Sequence, residues 1–312
     1  MRLIRGLYNC PEALFEHGCV ATIGNFDGVH LGHQAIIRKL TVKAAELGLP
    51  SVVILFEPHP QEVFRQADPP ARLYKLCDKL EQLQLLGVDY VLCFRFNQEF
   101  RELSAHDFVE QILKQALRVQ HLFIGDDFRF GYQRQGDFEF LKSYDFAIEA
   151  NESVVLERQN GAVRISSSQL RAAIAISDFA LAQKMLGRHY AISGKVAHGD
   201  KQGRELGVPT ANIVLKRRKS PLQGVYAVKV FGLETDANEG LAGVANVGRK
   251  PTLKDSSERL EVHLLDFDQE IYGQRIWVEP VAKIRDEKKF ASIDGLKQQI
   301  AFDIQAAKQI LY

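Results

Sequence analysis

The chain has 312 residues, 46% of them hydrophobic and 25% charged, which is an ordinary globular composition in a chain long for one hydrophobic core. Its 40 basic and 39 acidic residues leave a formal charge of +1, which does not indicate a nucleic-acid or membrane-surface partner. The N-terminus lacks the apolar run of a signal peptide, and the four cysteines contain no Cys-x-x-Cys pair. We therefore expect a cytoplasmic protein of two domains with reduced thiols, whose partners are small molecules rather than nucleic acid or membrane.

Short apolar runs alternate with stretches of helical spacing from Cys19 to about Asn151. The runs are CVATIGNF, SVVILFEP, YVLCFRF and HLFIGDDF, and the stretches between them include HQAIIRKLTVKAAELG, KLCDKLEQLQLLG and SAHDFVEQILKQAL. Buried parallel strands lose polar alternation because both faces are covered, whereas the covering helices keep an apolar stripe. This part of the chain predicts a doubly wound α/β domain.

The pattern changes at Gly187, after a helical stretch with the sequence SSSQLRAAIAISDFALAQKML. From there to about Ile284 the chain consists of short β-rich pieces separated by Gly, Asn and Pro turns: YAISGKVA, TANIVL, GVYAVKVF, LAGVANVG, RLEVHLLDF and RIWVEPVAKI. Short strands without intervening helices indicate an antiparallel sandwich or barrel. The tail ASIDGLKQQIAFDIQAAKQIL predicts a terminal helix packed on it. The expected domains are residues 1–186 and 187–312.

The segment TIGNFDGVHLGHQAII, residues 22–37, is the first candidate site. A strand gives way to a glycine-rich turn, and a helix that begins near Gly32 can direct its free N–H groups and its dipole at a phosphate. His30 and His33 are three residues apart, so both rings lie on one side of the first helical turn. Positive donors in that position suit a reaction that builds charge on phosphate oxygens.

This segment resembles the GxFDGxHxGH signature of the nucleotidyltransferase superfamily. With FEPHP, LSAHDFV, GDDFRFGYQRQGD and ISSSQLR, the first half resembles the FMN adenylyltransferase module of bacterial bifunctional riboflavin kinase/FAD synthetases. The resemblance implies a Rossmann-like nucleotidyltransferase domain in which His30 and His33 are catalytic. It assigns ATP phosphate binding to Gly24, Asp27, Gly28, Gly32, Ser166, Ser167 and Arg171, and flavin binding to Asp127, Phe128 and Phe130.

The segment GKVAHGDKQGRELGVPTANI, residues 194–213, is the second candidate site. A basic, glycine-punctuated loop that contains Gly199 and Arg204 leads into a strand. Thr210 and Asn212 share one face of that strand, since strand periodicity is two. Their hydroxyl and amide oxygens suit Mg²⁺, which prefers hard oxygen ligands together with nucleotide phosphates.

Residues 187–312 resemble the riboflavin kinase family through this segment and through GVYAV, GVANVGRKPT and RLEVHLLDF. The resemblance implies an antiparallel β-barrel with a terminal helix. It places Gly199, Arg204 and Thr210 on the nucleotide, Thr210 and Asn212 on Mg²⁺, and makes Glu261 the base. A carboxylate can accept the proton that the ribityl 5′-hydroxyl loses as it attacks the γ-phosphate.

Three further positions have competing interpretations. Arg285 resembles a family position near the flavin, and an exposed ion-pair cluster with Asp286 and Glu287 explains it equally well. The stretch KRRKS at Lys216 predicts a solvated basic turn rather than a functional patch. The Gly248-Arg249-Lys250 turn departs from the family, in which threonine commonly follows the glycine, and substrate affinity is expected to differ if that turn meets substrate.

Three functions compete. The first is a bifunctional enzyme that uses ATP and Mg²⁺ to convert riboflavin to FMN and then FMN to FAD. The second is a monofunctional adenylyltransferase, or an aminoacyl-tRNA synthetase relative without a KMSKS-like segment, fused to a barrel. The third is a flavin or nucleotide sensor without catalysis. Two independent motif sets favour the first.

Overall fold

A computed structural model describes residues 1–65, 67–157, 161–198, 207–215, 217–233, 239–249 and 258–312. The chain forms two compact units, and one short piece of the first half belongs to the second unit. The first unit is Met1–Pro70 with Leu76–Ser167, and the second is Ala71–Lys75 with Ser168–Tyr312. The main part of the second unit begins at Ser168, well before the predicted domain boundary at Gly187. That boundary concerns the two functional modules and stays a prediction.

A six-stranded sheet forms the centre of the first unit. Its strands are β1 (Arg2–Arg5), β2 (Cys19–Ile23), β3 (Ser51–Glu57), β4 (Tyr90–Arg95), β5 (Val119–Gly125) and β6 (Ala147–Asn151). The order is β1-β4-β3-β2-β5-β6, and all neighbouring pairs are parallel. The predicted apolar runs are the four inner strands; every residue of β2 is buried, as expected for a strand covered on both faces. The α/β prediction is confirmed.

Helices connect and cover these strands. They are α1 (Leu31–Leu47), α2 (Pro60–Phe64), α3 (Leu76–Leu85), α4 (Gln98–Glu102), α5 (Ala105–Asp107), which continues as a π-helix over Phe108–Ala116, and α6 (Phe138–Leu141). A two-stranded hairpin follows, with β7 at Val155–Leu156 and β8 at Val163–Arg164. In α1, Ile37, Leu40 and Ala44 are buried at helical spacing, and Gly48 ends the helix with a left-handed φ of 64°.

The second unit contains a closed antiparallel barrel. Its strands are β9 (Ile192–Ala197), β10 (Ala211–Val214), β11 (Gly224–Phe231), β12 (Leu241–Arg249), β13 (Glu258–Leu264) and β14 (Arg275–Arg285), in the order β10-β13-β12-β11-β14-β9. Among the described residues of this unit, the helices are α7 (Ser167–Ala175), which starts at the last residue of the first unit, α8 (Phe179–Leu186) and the terminal α9 (Ile293–Leu311). The structure therefore confirms the barrel alternative and the terminal helix. In the described part of the chain, no helix is long and apolar enough to cross a membrane.

The terminal helix is fixed to the barrel by a buried ion pair. Asp303 of α9 is 3% exposed, and its carboxylate accepts hydrogen bonds of 2.8 to 3.1 Å from Nε and Nη2 of Arg285 at the end of β14. Gln299 donates a further bond to the same carboxylate at 2.9 Å. The exposed cluster expected for Arg285 is therefore wrong, because the guanidinium is engaged by a buried carboxylate. Its flavin contact stays a prediction.

The basic stretch at Lys216 also differs from expectation. Arg217 is 5% exposed, and its Nη1 donates to the carbonyls of Arg72 and Leu73 at 2.8 and 3.3 Å. The expected solvated turn is wrong at this residue, because its guanidinium binds a piece of backbone that the chain contributes from far upstream. Residues 71–75 are therefore an integral part of the barrel unit.

Candidate active sites

The turn between β2 and α1 forms the first candidate site. The Gly24 N–H donates to the Ile54 carbonyl of β3 at 3.1 Å, so the turn starts at the carboxyl edge of the sheet, where open α/β sheets bind ligands. Phe26, Gly28 and Val29 all have left-handed φ values, of 46°, 87° and 43°. Side-chain-bearing residues adopt that conformation at a cost of roughly 1–2 kcal/mol, and such strain clusters at functional sites.

His30 and His33 lie together at the start of α1, as the helical spacing predicts. Their rings are stacked with centroids 3.6 Å apart and planes 18° apart. His30 is the N-cap, and its Nδ1 accepts a hydrogen bond of 3.3 Å from the His33 N–H. A neutral ring whose Nδ1 is an acceptor carries its proton on Nε2, which is therefore a donor. The Phe26 ring meets His33 edge-on at 5.0 Å and helps to fix the pair.

The serine-rich turn is attached to the same site. Ser167 donates its hydroxyl to the carbonyl of Asp27 at 2.8 Å, and Asp27 is 1% exposed. Ser166 immediately precedes that helix start. A Cβ at Gly32 would lie 3.2 Å from ring atoms of His30 and 3.6 Å from the Ile165 carbonyl. The structure thus brings the glycine-rich turn, both histidines and the first serine of α7 together.

Arg171 has a backbone partner in the second unit. Its Nε donates to the carbonyl of Ala71 at 2.6 Å. A guanidinium has five N–H groups and can therefore bind a backbone carbonyl and another acceptor at the same time. The phosphate role of Arg171 stays a prediction.

The predicted flavin residues lie beyond β5. Asp127 has a 75% exposed side chain that pairs with Arg164 at 3.2 Å. Phe128 and Phe130 are stacked at 5.5 Å after the turn that follows β5, and Phe130 forms an isolated antiparallel bridge with Gly136. Phe130 is 8% exposed and packs against Phe108 in the core, whereas Phe128 is half-buried. A planar ligand would therefore reach Phe128 more readily than Phe130.

Charged residues at the end of β3 were not predicted as site residues. Lys79 is fully buried, and its Nζ lies 3.4 Å from Oε1 of Glu57. His59 begins α2 with a capping box in which its backbone N–H donates to Glu62 at 3.1 Å. The sequence contained a signal for them: SVVILFE is an apolar strand that ends in a carboxylate, inside the FEPHP piece.

A row of polar side chains crosses three barrel strands at the second candidate site. Strand pairing places Asn212 of β10 opposite Glu261 of β13, and Glu261 opposite Asn246 of β12. Their neighbours Ala211 and Val262 are buried in the barrel, so the polar row lies on the opposite face. The sequence did not identify Asn246, because its adjacency to Glu261 depends on strand register.

Hydrogen bonds fix the start of β10. The Asn212 amide nitrogen lies 3.3 Å from the carbonyl of Thr210 and 3.5 Å from its Oγ1. His263 lies two residues after Glu261. Its Nδ1 is 2.8 Å from the Pro209 carbonyl oxygen, which can only accept, so Nδ1–H donates the hydrogen bond. The predicted nucleotide residues Gly199 and Arg204 lie outside the described residues.

The donor set at this row fits Mg²⁺. Thr210 and Asn212 carry neutral, hard oxygens side by side, and the Glu261 carboxylate lies on the next strand. A 180° flip of the amide turns its oxygen towards Thr210, and such flips are equivalent in shape. Few protein oxygens are needed, since Mg²⁺ keeps several waters and takes phosphate oxygens from its nucleotide. Clusters of three or more His, Cys, Asp or Glu suited to a metal do not occur within the described ranges.

Of the three residues that depart from the family pattern, Gly248 lies on β12 beside the Glu287 side chain, and Lys250 lies outside the described residues. The Glu287 carboxyl lies against Gly248, in the position that a Cβ would occupy. Burial and the nearby Glu258 carboxylate raise the pKa of Glu287, and Arg285 partly opposes this shift. Any side chain at position 248 would displace the Glu287 carboxyl.

Comparison with known proteins matches both halves of the chain. A family model for FAD synthetase matches residues 13–169, and one for riboflavin kinase matches residues 186–311. A bifunctional riboflavin kinase/FMN adenylyltransferase of Escherichia coli K12 is 48% identical over 313 residues, which cover 99% of this chain and 97% of that protein. The protein of that name from Haemophilus influenzae is 49% identical over 99% of this chain and 98% of its own length.

A solved structure shares the whole fold. The crystal structure titled macrolide-efflux protein from Streptococcus pneumoniae has a TM-score of 0.76 and 29% sequence identity, and the match covers 99% of both chains. Full-length identity near one half and two adjacent family matches agree with the two constellations in the structure. The chain belongs to the bifunctional riboflavin kinase/FMN adenylyltransferase family.

Proposed function

We propose that the two constellations are the active sites of two successive reactions. The barrel unit phosphorylates riboflavin with ATP to give FMN, and the α/β unit transfers an adenylyl group from ATP to FMN to give FAD and pyrophosphate. The chain is thus an enzyme with two transferase activities. One observation supports this most strongly. The His30–His33 pair lies in the first compact unit and the Asn212–Glu261 pair lies in the second.

The histidine pair would act in adenylyl transfer. A phosphate oxygen of FMN attacks the α-phosphorus of ATP, and the bond to the leaving pyrophosphate breaks. The protein's part is to hold these groups in line and to stabilise the charge on their oxygens. Nε2 of His30 can donate to a phosphate while Nδ1 remains the helix cap. His33 lies beside it at a ring separation of 3.6 Å, so both rings are available to the same phosphate group.

Glu261 would act in phosphorylation. The ribityl 5′-hydroxyl attacks the γ-phosphorus of ATP, ADP leaves, and the carboxylate accepts the hydroxyl proton. Register places Asn212 and Asn246 on either side of Glu261, and their side chains would orient the carboxylate and the reacting groups. Mg²⁺ at Thr210 and Asn212 would neutralise charge on the ATP phosphates when bound. The metal identity and a cytoplasmic location are part of this proposal.

The test separates the two reactions. Purified protein receives riboflavin, ATP and Mg²⁺ in one assay and FMN, ATP and Mg²⁺ in another, and the flavins are resolved by chromatography. Glu261→Gln should abolish FMN formation from riboflavin and leave FAD formation from supplied FMN near the wild-type rate. His30→Ala should reduce FAD formation at least a hundredfold and leave phosphorylation intact, since loss of one transition-state donor costs about 10²–10³.

A matched variant distinguishes chemistry from helix capping at His30. Asparagine is a strong N-cap residue but cannot carry the positive charge of an imidazolium. His30→Asn should therefore keep the thermal stability that His30→Ala loses, about 1 kcal/mol, and remain inactive in adenylyl transfer. A folded variant that loses both reactions would contradict one chemistry per unit, and wild-type protein that makes neither product would favour a flavin or nucleotide sensor.

A further inference from the structure

A five-residue piece of the first half, Ala71–Lys75, is bound along its backbone by the barrel unit. Arg171 donates to the Ala71 carbonyl at 2.6 Å, and Arg217 donates to the carbonyl of Arg72 at 2.8 Å. The Arg72 N–H donates to the Lys219 carbonyl at 2.9 Å. Successive carbonyls are therefore held by guanidinium groups, whose charged N–H donors form stronger hydrogen bonds than neutral donors do.

Aromatic packing holds the second half of the segment. Tyr74 is 5% exposed, stacks on Tyr190 at 6.3 Å and lies under the Arg188 guanidinium, which also donates to its hydroxyl at 3.1 Å. The Tyr190 hydroxyl donates to the Leu73 carbonyl at 3.3 Å. Tyr190 lies two residues before β9, so these contacts fix the entry of that strand.

Lys75 then reaches β9 itself. Its Nζ donates to the carbonyl of Ser193 at 2.5 Å, and it lies 3.7 Å from the Cβ position of Gly194. The side chain of Ile213, on β10, fills the rest of that position. One strand pair further along, Val196 of β9 pairs with Ile213, and Ala197 pairs with Asn212. The Lys75 ammonium is thus packed on the strand pair that carries Asn212.

We infer that Lys75, although it lies within the range matched by the FAD synthetase model, is a positioning residue for riboflavin phosphorylation. This inference rests on the proposed function of Asn212 and Thr210. Lys75 holds β9 in place, β9 holds β10 through its register, and β10 presents the oxygens proposed for Mg·ATP. A displacement of about 1 Å in such a group can cost on the order of a hundredfold in rate.

The test uses the full chain with Lys75→Met, which keeps the length of the side chain and removes its charge. We expect the KM for Mg·ATP in riboflavin phosphorylation to rise severalfold and kcat to fall about tenfold, whereas FAD formation from supplied FMN stays at the wild-type rate. Lys75→Arg should recover much of the kinase activity, because its guanidinium can also donate to the Ser193 carbonyl. Lys184→Met, an exposed lysine of α8, is the matched control and should change neither reaction.

The readouts distinguish positioning from stability. A variant that merely unfolds in part has fewer active molecules, so its kcat falls while KM is unchanged. Hydrogen exchange at the β9 amides reports directly whether the strand has loosened. Unchanged phosphorylation kinetics in Lys75→Met, or an equal loss of both reactions, would overturn the inference. Wild-type protein without phosphorylation activity would overturn the proposed function first, and with it this inference.

Discussion

His30 serves the backbone and the proposed chemistry with different atoms of one ring. Its Nδ1 accepts the His33 N–H and begins α1, which leaves Nε2 as the donor. The ring is 5% exposed and stacked on His33, so it has little freedom to take another orientation. Helix geometry thus orients this ring at the start of α1.

Gly32→Ala tests how closely that orientation matters. The added Cβ would lie 3.2 Å from two ring atoms of His30, closer than ordinary van der Waals contact. Alanine in a helix is favoured over glycine by about 0.5–1 kcal/mol, so the free energy of unfolding should fall little or even rise. FAD formation should nevertheless fall about tenfold or more, and riboflavin phosphorylation should not change. Full FAD formation in this variant would show that the ring position is not critical.

The raised pKa of Glu279 predicts that the stability of the protein depends on pH. Burial raises its pKa above the ordinary value of 4.5, and His189 and Lys229 oppose the shift only in part. The folded state therefore binds the proton more tightly than the unfolded state. The contribution of this group to stability is fully present below pH 4.5 and is lost as the pH rises through the raised pKa.

Glu279→Gln should accordingly unfold at a higher temperature than the wild type at pH 7. Its advantage should shrink as the pH falls through the raised pKa, because the protonated glutamate resembles the amide. Calorimetry over a pH series measures this difference. Glu157→Gln, at an exposed position, is the matched control, and a flat, near-zero difference for position 279 would argue against a desolvated carboxyl.

Among secondary-structure elements, the sequence predicts best those that are covered on both faces. The inner strands β2 to β5 and the barrel strands follow from apolar runs and turn residues. The edge strands β1 and β6 were missed because RLIR and AIEAN are short and carry charge, as uncovered edges do. Strand periodicity predicted that Thr210 and Asn212 share one face. It could not predict that Asn212 and Asn246 flank Glu261, because register is set by tertiary pairing.

The attachment of α9 gives a prediction at the scale of one helix. Asp303→Asn removes the charge that holds the Arg285 guanidinium. The side chain of Arg285 is 19% exposed, and that of Asp303 is 4% exposed. Breaking a buried pair by removing one partner typically costs about 3–5 kcal/mol. We expect a loss of about 3 kcal/mol in the free energy of unfolding, together with faster hydrogen exchange along α9.

Asp286→Asn provides the comparison for this variant. It removes the exposed partner of Lys283, and exposed pairs contribute about 0–1 kcal/mol. The two variants change the same chemical group within the same unit, so burial accounts for their difference. Equal and small losses would mean that apolar packing alone fixes the terminal helix to the barrel.

At the scale of the whole molecule, the boundaries of the two compact units differ from those of the two family matches. The second unit includes Ala71–Lys75, nearly all of α7 and the whole of α8, all of which precede the predicted boundary at Gly187. Phe179 of α8 meets Tyr226 of β11 edge-on at 6.1 Å, and Met185 and Leu186 are fully buried. A fragment that begins at Gly187 would therefore lack part of its own core.

Cleavage of the chain after Gly187 tests this arrangement. With a protease site inserted between Gly187 and Arg188, the cut protein should elute as one species from a native sizing column. The two fragments should separate in denaturant. The uncut insertion variant must first retain both activities. Fragments that part under native conditions, each with its own activity, would instead support the predicted domains 1–186 and 187–312 as independent bodies.

The Ala71–Lys75 segment is synthesised long before the residues that bind it. During translation it leaves the ribosome about 140 residues before Arg217, the residue that later covers its carbonyls, and at roughly 5–20 residues per second this takes about 7–28 s. Over that interval the nascent chain holds Leu73 and Tyr74, buried in the finished protein, without the barrel that covers them. The segment can complete its backbone contacts only after Arg217 and Lys219 have been synthesised.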